Sequence, residues 1–158
     1  MVTAVDPLQL EDGVLSISSN PVFDTLTLLG QPFATATVVS MQLSDQVDPV
    51  PLQFTTPTSS GILVSTNPGT MTPTDAGTFL VEVRLDLSTL SQTPNTVNVL
   101  INIPGFSTGE SYSLPYMSGK RMITTWLVMQ ANQTMSVQIQ GSSNNFINTG
   151  SVRMLRLF

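Results

Sequence analysis

The sequence of 158 residues contains neither cysteine nor histidine. Without cysteine the chain has no disulfide framework and no thiolate nucleophile. Without histidine it lacks the commonest general base and metal ligand, which excludes Ser-His-Asp triads, Cys-His pairs and zinc sites built from these residues. We therefore predict a protein without catalytic residues, cofactors or enzymatic activity.

The remaining polar motifs do not restore a catalytic site. Ser118-Gly119-Lys120 has the pattern of a turn, and it lacks the upstream glycine and the following Ser or Thr of a phosphate-binding loop. Glu82 and Asp86 fall on one face of a predicted strand, about 14 Å apart at roughly 3.4 Å per residue. Loop carboxylates could bind calcium, but they lack EF-hand spacing and we assign no metal ligand among them. These carboxylates are Asp45 with Asp48 and Glu11 with Asp12.

Charged side chains are scarce, at 9% of the sequence with a net charge of −5, against about a quarter in average soluble domains. The hydroxyl and amide groups that replace them are cheaper to desolvate than ions, so the surface suits packing against neighbouring proteins. Nucleic-acid binding requires a basic stripe, which is missing. Apolar runs such as residues 123–129 are too short to span a bilayer. We predict neither nucleic acid nor membrane as a partner.

The few charges are unevenly distributed along the chain. No Lys or Arg precedes Arg84, whereas eight of the ten acidic residues do. One interpretation is that these charges pair within one folded subunit. The other is that an acidic N-terminal arm contacts a basic surface on a neighbouring subunit.

A period of two residues dominates the second half, which predicts half-buried strands. Between Gly77 and Leu87 the apolar residues Phe79, Val81, Val83, Leu85 and Leu87 alternate with polar ones. The same alternation predicts strands over 97–103, 135–139 and 151–158. Residues 122–130 are more continuously apolar, which indicates a strand with both faces covered.

The first half is less regular. Strands are predicted over 22–29, 33–43 and 61–65, and Pro-, Gly- and Thr-rich loops over 48–51, 56–60 and 66–74. A loop is also predicted over 107–119, and at most one helical turn over 87–91. The total of about eight to ten antiparallel strands predicts an all-β jelly-roll β-sandwich, because an immunoglobulin sandwich is shorter and has a Cys-Trp-Cys core.

The opening segment is predicted to form two short strands around Asp12-Gly13. Such a hairpin cannot bury its apolar face alone, so we interpret residues 1–20 as an N-terminal arm and residues 21–158 as the jelly-roll domain. The segment also resembles viral fibre-shaft segments. The candidate arm contacts are Leu8, Leu10, Val14, Leu15 and Ile17.

Four stretches of the second half follow a family pattern. Residues 76–79 (Ala-Gly-Thr-Phe) lead an alternating strand, residues 97–103 form the next, residues 127–139 form a hairpin, and residues 150–158 close the chain. Over residues 76–158 the chain thus resembles the trimeric jelly rolls of the tumour-necrosis-factor and complement-head class. It differs in lacking the family's Phe-x-Gly before the final strand and in having Phe79 where Tyr is frequent. The resemblance implies a homotrimer, and the class includes viral fibre knobs, spikes and capsid-decorating proteins.

Two functional hypotheses follow. The first is a virion structural protein that decorates or cements a virus or phage capsid, with the major capsid protein as partner and the virion surface as location. The second is a receptor-binding spike or fibre tip that recognises a host glycan or protein, with Tyr112 and Tyr116 as candidate contacts. A secreted cytokine-like ligand is a third, weaker option. The initial methionine leads us to expect a complete gene product, and no positively charged segment with an apolar block suggests a signal peptide.

Overall fold

The computed structural model describes residues 8–11, 14–17, 31–43, 48–90, 96–104, 110–115, 118–142 and 144–158. The chain divides into two compact units, Met1–Gly30 and Gln31–Phe158. In the first unit β1 (Leu8–Glu11) and β2 (Val14–Ile17) form an antiparallel ladder, as the sequence predicted. The role of residues 1–20 as an arm stays a prediction, and the strand predicted over 22–29 lies outside the described residues.

The described part of the second unit consists of antiparallel strands in two sheets. Its strands are β3 (Phe33–Val38), β4 (Met41–Gln42), β5 (Val50–Pro51), β6 (Phe54–Ser60), β7 (Ile62–Thr66), β8 (Gly69–Pro73), β9 (Gly77–Thr89), β10 (Thr96–Asn102), β11 (Glu110–Pro115), β12 (Gly119–Met129), β13 (Met135–Gln140) and β14 (Asn145–Arg156).

Neither sheet follows chain order. The first, which we call the β9 sheet, has the order β12-β9-β14-β3-β6, with β4 paired to β14. The second, the β10 sheet, has the order β11-β10-β13-β8-β7, with β5 paired to β13. The two sheets form a sandwich, and sequential strands cross between them, which is the arrangement of a jelly roll. The predicted fold class is confirmed.

Alternation along the strands builds the core. The five alternating apolar residues of β9 are all buried, as are Val97, Val99 and Ile101 on β10. Met135, Val137 and Ile139 of β13 are buried in turn. Because each strand places every second side chain on the same face, the inner faces of the two sheets meet in one apolar layer.

Several predicted loops are strands. The segments 48–51, 56–60 and 66–74 contain β5, most of β6 and β8, and the segment 107–119 contains β11. These stretches are rich in Thr, which suits pleated structure, and they are held by pairing and by buried Leu52, Phe54 and Met71. The helical turn predicted over 87–91 is also wrong, because β9 continues to Thr89. The described residues of the second unit form twelve strands, of which β4 and β5 have only two residues each.

The final strand is longer than predicted, since β14 begins at Asn145. Val152 and Met154 are buried as expected. Leu157 is half-buried, whereas Phe158 is exposed. The backbone of both residues still pairs with Thr78.

Candidate protein-binding face

One face of β12 is covered and the other is open to solvent. Ile123, Leu127 and Met129 are buried, whereas Met122, Trp126 and Val128 are exposed by 61%, 65% and 72%. The sequence indicates a strand with apolar residues on both faces, but the described residues of a single chain cover only the inner one. The outer face of β12 is therefore a candidate contact surface for another protein.

The exposed apolar side chains continue across the β9 sheet. Trp126 pairs in register with Leu80 on β9, Leu80 with Leu155 on β14, and Leu155 with Phe33 on β3. Directly paired residues share a face of the sheet, and Leu80, Leu155 and Phe33 are half-buried. These four residues form what we call the apolar row. It crosses four strands on the outer face of the β9 sheet.

The unpaired edge of β12 is a second reason to regard this face as a contact surface. Within the described part of the chain, β12 pairs only with β9, so its other edge carries no strand partner. Long apolar edge strands of natural proteins are usually covered or charged, because their free N–H and C=O groups recruit other chains. The β12 edge is apolar towards its C-terminal end, where Trp126 and Val128 lie, so it is suited to being covered by a partner.

A charged zone lies beside the apolar row on the same face. The Nε of Arg84 lies 2.8 Å from Oε1 of Glu82, and Arg153 is the register partner of Glu82 on β14. A second pair lies outside this zone, at the end of β14, where Arg156 is the register partner of Phe79, and it joins Nη1 of Arg156 to Oδ2 of Asp75 at 4.0 Å. Part of the charge is thus paired within one chain. All basic residues of the sequence lie on three strands of the β9 sheet, and they are Arg84, Lys120, Arg121, Arg153 and Arg156.

A groove of about 430 Å³ occupies the end of this charged zone. Three parallel rows of residues on β12, β9 and β14 line it. The outer rows are Lys120, Asp86 and Thr149, and Met122, Arg84 and Ser151. Arg121, Leu85 and Gly150 form the row between them. We call this feature the cationic groove.

Of the two residues predicted as receptor contacts, only Tyr112 lies among the described residues. Tyr112 lies on β11, where it is half-buried and packs against the core. Tyr116 lies outside the described residues. The ring of Tyr112 therefore offers only part of its surface to a partner. Both residues remain candidate contacts for the receptor hypothesis.

The predicted arm contacts lie on the β1–β2 ladder. Its register pairs Leu8 with Ile17 and Leu10 with Leu15. Because residues two apart and directly paired residues share a face, these four positions fall on one face of the ladder. Val14 falls on the other face, opposite Glu11.

The described residues show no catalytic or metal-binding constellation. Ser118 accepts a hydrogen bond from the backbone N–H of Thr89 at 3.4 Å, and Gly119 and Lys120 begin β12 rather than form a phosphate-binding loop. In the described part of the chain no group of three or more acidic side chains could hold a metal ion. Nor does any helix there have the length and hydropathy to cross a membrane. Asp45 and Asp12 lie outside the described residues.

Sequence comparison finds no relative, since no family model and no curated protein matches the chain. Solved structures do match. PRD1 vertex protein P5 is 7% identical with a TM-score of 0.56, over 80% of this chain and 97% of that one. The globular domain of zebrafish complement 1qA protein is 8% identical with a TM-score of 0.56, over 81% and 98%. Eiger TNF from S. frugiperda is 11% identical with a TM-score of 0.51, over 80% and 94%.

These likenesses establish the fold. The chain is a jelly roll of the type shared by tumour-necrosis-factor proteins, complement globular domains and a phage vertex protein. Each solved structure is covered almost completely, so the likeness extends over the whole domain of those proteins rather than over one sheet. The resemblance in the second half of the sequence is confirmed.

Sequence reasoning did not identify the outer face of β12 as a contact surface. The sequence nevertheless contains a pattern that indicates this face. The run from Met122 to Met129 is apolar or hydroxyl-bearing throughout, and no charged residue interrupts it. A solvated face of a strand normally carries charged or amide side chains, which this run lacks.

Proposed function

We propose that this chain is a non-enzymatic virion structural protein, a capsid decoration or cement protein that forms symmetric trimers on a virus or phage shell. The observation that carries the proposal is the exposed apolar surface of β12 with the apolar row beside it. A partner must be available for this surface, because apolar surface of this kind destabilises a solitary protein in water.

The proposed trimer uses the β12 edge of one copy against the outer face of the β9 sheet of the next. Trp126, Met122 and Val128 then supply the edge, and Leu80, Leu155 and Phe33 supply the face. The two contacting surfaces are different parts of the same chain, so the contact is heterologous. A contact of this kind gives a closed assembly only when the copies form a ring. Three copies complete such a ring in the trimer that the family resemblance implies.

The shell contact is assigned to the β1–β2 hairpin. The four apolar positions on one face of this ladder need a covering surface, because an isolated two-stranded hairpin is marginal in water. The major capsid protein is the proposed partner, and the location is the virion surface. The likeness to PRD1 vertex protein P5 supports a virion role, and the low charge of the chain suits close packing on a shell.

The test is binding of the purified chain to empty shells of the virus that encodes it. Co-sedimentation should show saturable binding. At saturation the number of chains bound at each site should be a multiple of three. Bound protein should also raise the temperature at which the shells release a fluorescent dye to solution. Shells that bind no protein and that open at the same temperature with and without it would contradict the proposal.

The receptor-binding module is the second candidate, and the exposure of the Trp126 ring favours it, since exposed indole rings stack on sugars. The two candidates differ in what a Trp126→Ala variant loses. A capsid trimer loses its assembly, whereas a receptor module keeps its mass and loses adhesion to glycans or cells. Leu63→Ala serves as the matched control, because Leu63 is 63% exposed on β7 of the other sheet.

A further inference from the structure

The two edges of the β9 sheet differ in their backbone. β12 forms one edge and β6 the other, and in the described part of the chain each of them pairs with a single strand of this sheet. All eleven residues of β12 pair with β9 without a register shift, and none of them is proline. β12 is therefore a regular strand edge, which is the form that recruits other chains.

The β6 edge is exposed and uncharged. The six residues from Thr55 to Ser60 are all exposed, and five of them carry a hydroxyl group. Threonine favours pleated structure, and an exposed strand without charge is the kind that pairs with other chains. Natural proteins usually protect such an edge with lysine, a bulge or proline. β6 has no lysine, but it contains both of the other features.

The bulge of β6 lies at Thr56 and Pro57. The register with β3 shifts between Thr35 and Thr37, so these two residues of β6 lie opposite one residue of β3. Thr56 has a φ of 45°, a conformation that β-branched residues rarely adopt. Its hydroxyl group donates a hydrogen bond of 3.1 Å to Oγ1 of Thr37. This contact holds Thr56 in place, and bulges of this kind bend a strand and increase its twist.

Pro57 removes a hydrogen-bond donor at the same point. Proline has no backbone N–H, and within sheets it is confined largely to edge strands and bulges. A strand added along β6 would meet a bent segment that lacks the regular row of donors and acceptors on which pairing depends. The β9 sheet therefore has one edge that can accept a strand, β12, and one edge that resists it, β6.

We propose that Thr56 and Pro57 block the β6 edge against pairing with another copy of the chain, which limits assembly to a closed ring. In a ring each copy offers one surface to a neighbour and receives one. An additional pairing edge on every copy would let rings join edge to edge without limit. The inference deepens the proposed function, and it rests on the trimer only for the size at which assembly stops.

Pro57→Thr is the diagnostic variant, because it restores an N–H group and a strand-favouring residue without adding a large apolar side chain. Thr58→Val is the matched control, since it raises the strand preference of the next exposed residue and keeps the proline. Circular dichroism and thermal unfolding at low concentration first establish that both variants fold like the unmodified chain. If the threonine variant unfolds, Pro57→Ala repeats the test, because it restores the same N–H group with a smaller side chain.

Light scattering then measures mass as the protein concentration rises, and thioflavin T fluorescence reports strand pairing between copies. We expect Pro57→Thr to form species larger than three chains at a concentration about tenfold lower than the unmodified chain, because a restored hydrogen bond and a flatter edge favour pairing. Thr58→Val should keep the mass of the unmodified chain.

Four results separate the edge inference from the proposed trimer. Growth of Pro57→Thr alone beyond an unmodified trimer supports both. An unmodified trimer whose Pro57→Thr variant keeps the same mass, or whose Thr58→Val control grows equally, overturns the edge inference and leaves the trimer standing. An unmodified monomer whose Pro57→Thr variant alone grows overturns the trimer and keeps the edge inference. A chain that is monomeric with and without the substitution overturns both.

Discussion

Trp126 on β12 lies directly opposite Leu80 on β9, and the indole is exposed by 65% although its strand neighbours Thr125 and Leu127 are buried. This pair begins a row of apolar residues that crosses the β9 sheet on its outer face. The inner face of the same strands forms the core of the sandwich. One sheet thus has two apolar sides, and only one of them is covered within a single chain.

The first prediction concerns Trp126→Ser. It removes the largest exposed apolar side chain of the row, and central aromatic contacts contribute about 2 kcal/mol or more to protein interfaces. We expect the variant to sediment as a monomer at concentrations where the unmodified chain is a trimer. Leu63→Ser is the control, because Leu63 is 63% exposed on β7 of the other sheet. If both variants sediment like the unmodified chain, the apolar row is not the interface.

The second prediction compares two phenylalanines. Phe79 is fully buried on β9, whereas Phe158 is exposed by 75%. Phe79→Ala should lower the free energy of unfolding by about 3–5 kcal/mol, because it leaves a cavity between the sheets. Phe158→Ala should change it by about 0.5 kcal/mol or less. Urea denaturation at a protein concentration where both variants have the same mass measures the difference, and equal midpoints would contradict the placement of the core.

The third prediction concerns the contact between β9 and β14. Gly150→Ala places a methyl group 2.5 Å from the carbonyl oxygen of Arg84, so one strand must shift. We expect a loss of about 1–3 kcal/mol in unfolding free energy, as for other overpacked sites. Ser151→Ala, at the next residue and facing outward, should have little effect. A thermal unfolding curve unchanged by Gly150→Ala would show that the strands lie further apart.

The fourth prediction concerns the hairpin. Leu10→Asp introduces a charge on the face of the β1–β2 ladder that also includes Leu8, Leu15 and Ile17. Ser16→Asp introduces the same charge on the other face, opposite Gln9. Burying an unpaired carboxylate is costly, so Leu10→Asp should abolish shell binding in a co-sedimentation assay and Ser16→Asp should not. Equal binding by the two variants would count against the hairpin as the shell contact.

The regular strands could be predicted from the sequence because their pattern is local. The alternation in 77–87 matches β9, and the pattern in 135–139 lies within β13. Side chains two residues apart lie on the same face of a strand, so a strand lets alternate apolar residues be buried together. The sandwich followed from the number of such segments.

The strands β5, β6 and β8 could not be predicted in the same way. Their sequences contain proline and many hydroxyl residues, which locally favour turns, and they are strands because partners elsewhere in the chain pair with them. Thr70, for example, pairs with Ser136, which lies far along the chain. Pairing of this kind depends on tertiary structure and leaves no local pattern.

The candidate face could be predicted from the sequence only in part. The continuous apolar character of residues 122–130 predicted a strand covered on both sides, but the covering element could not be located. The charges of Lys120 and Asp86 are far apart in sequence and meet only through the register of β12 with β9. The groove therefore depends on sheet order, which sequence periodicity does not specify.

The mass of the full chain in solution tests the central claim most directly. Light scattering coupled to size exclusion should give three times the chain mass of 17.0 kDa, or about 51 kDa, at micromolar concentration and near-physiological salt. That result would show that the outer face of the β9 sheet has a covering partner in the protein itself. A single species of 17.0 kDa under the same conditions would contradict the account.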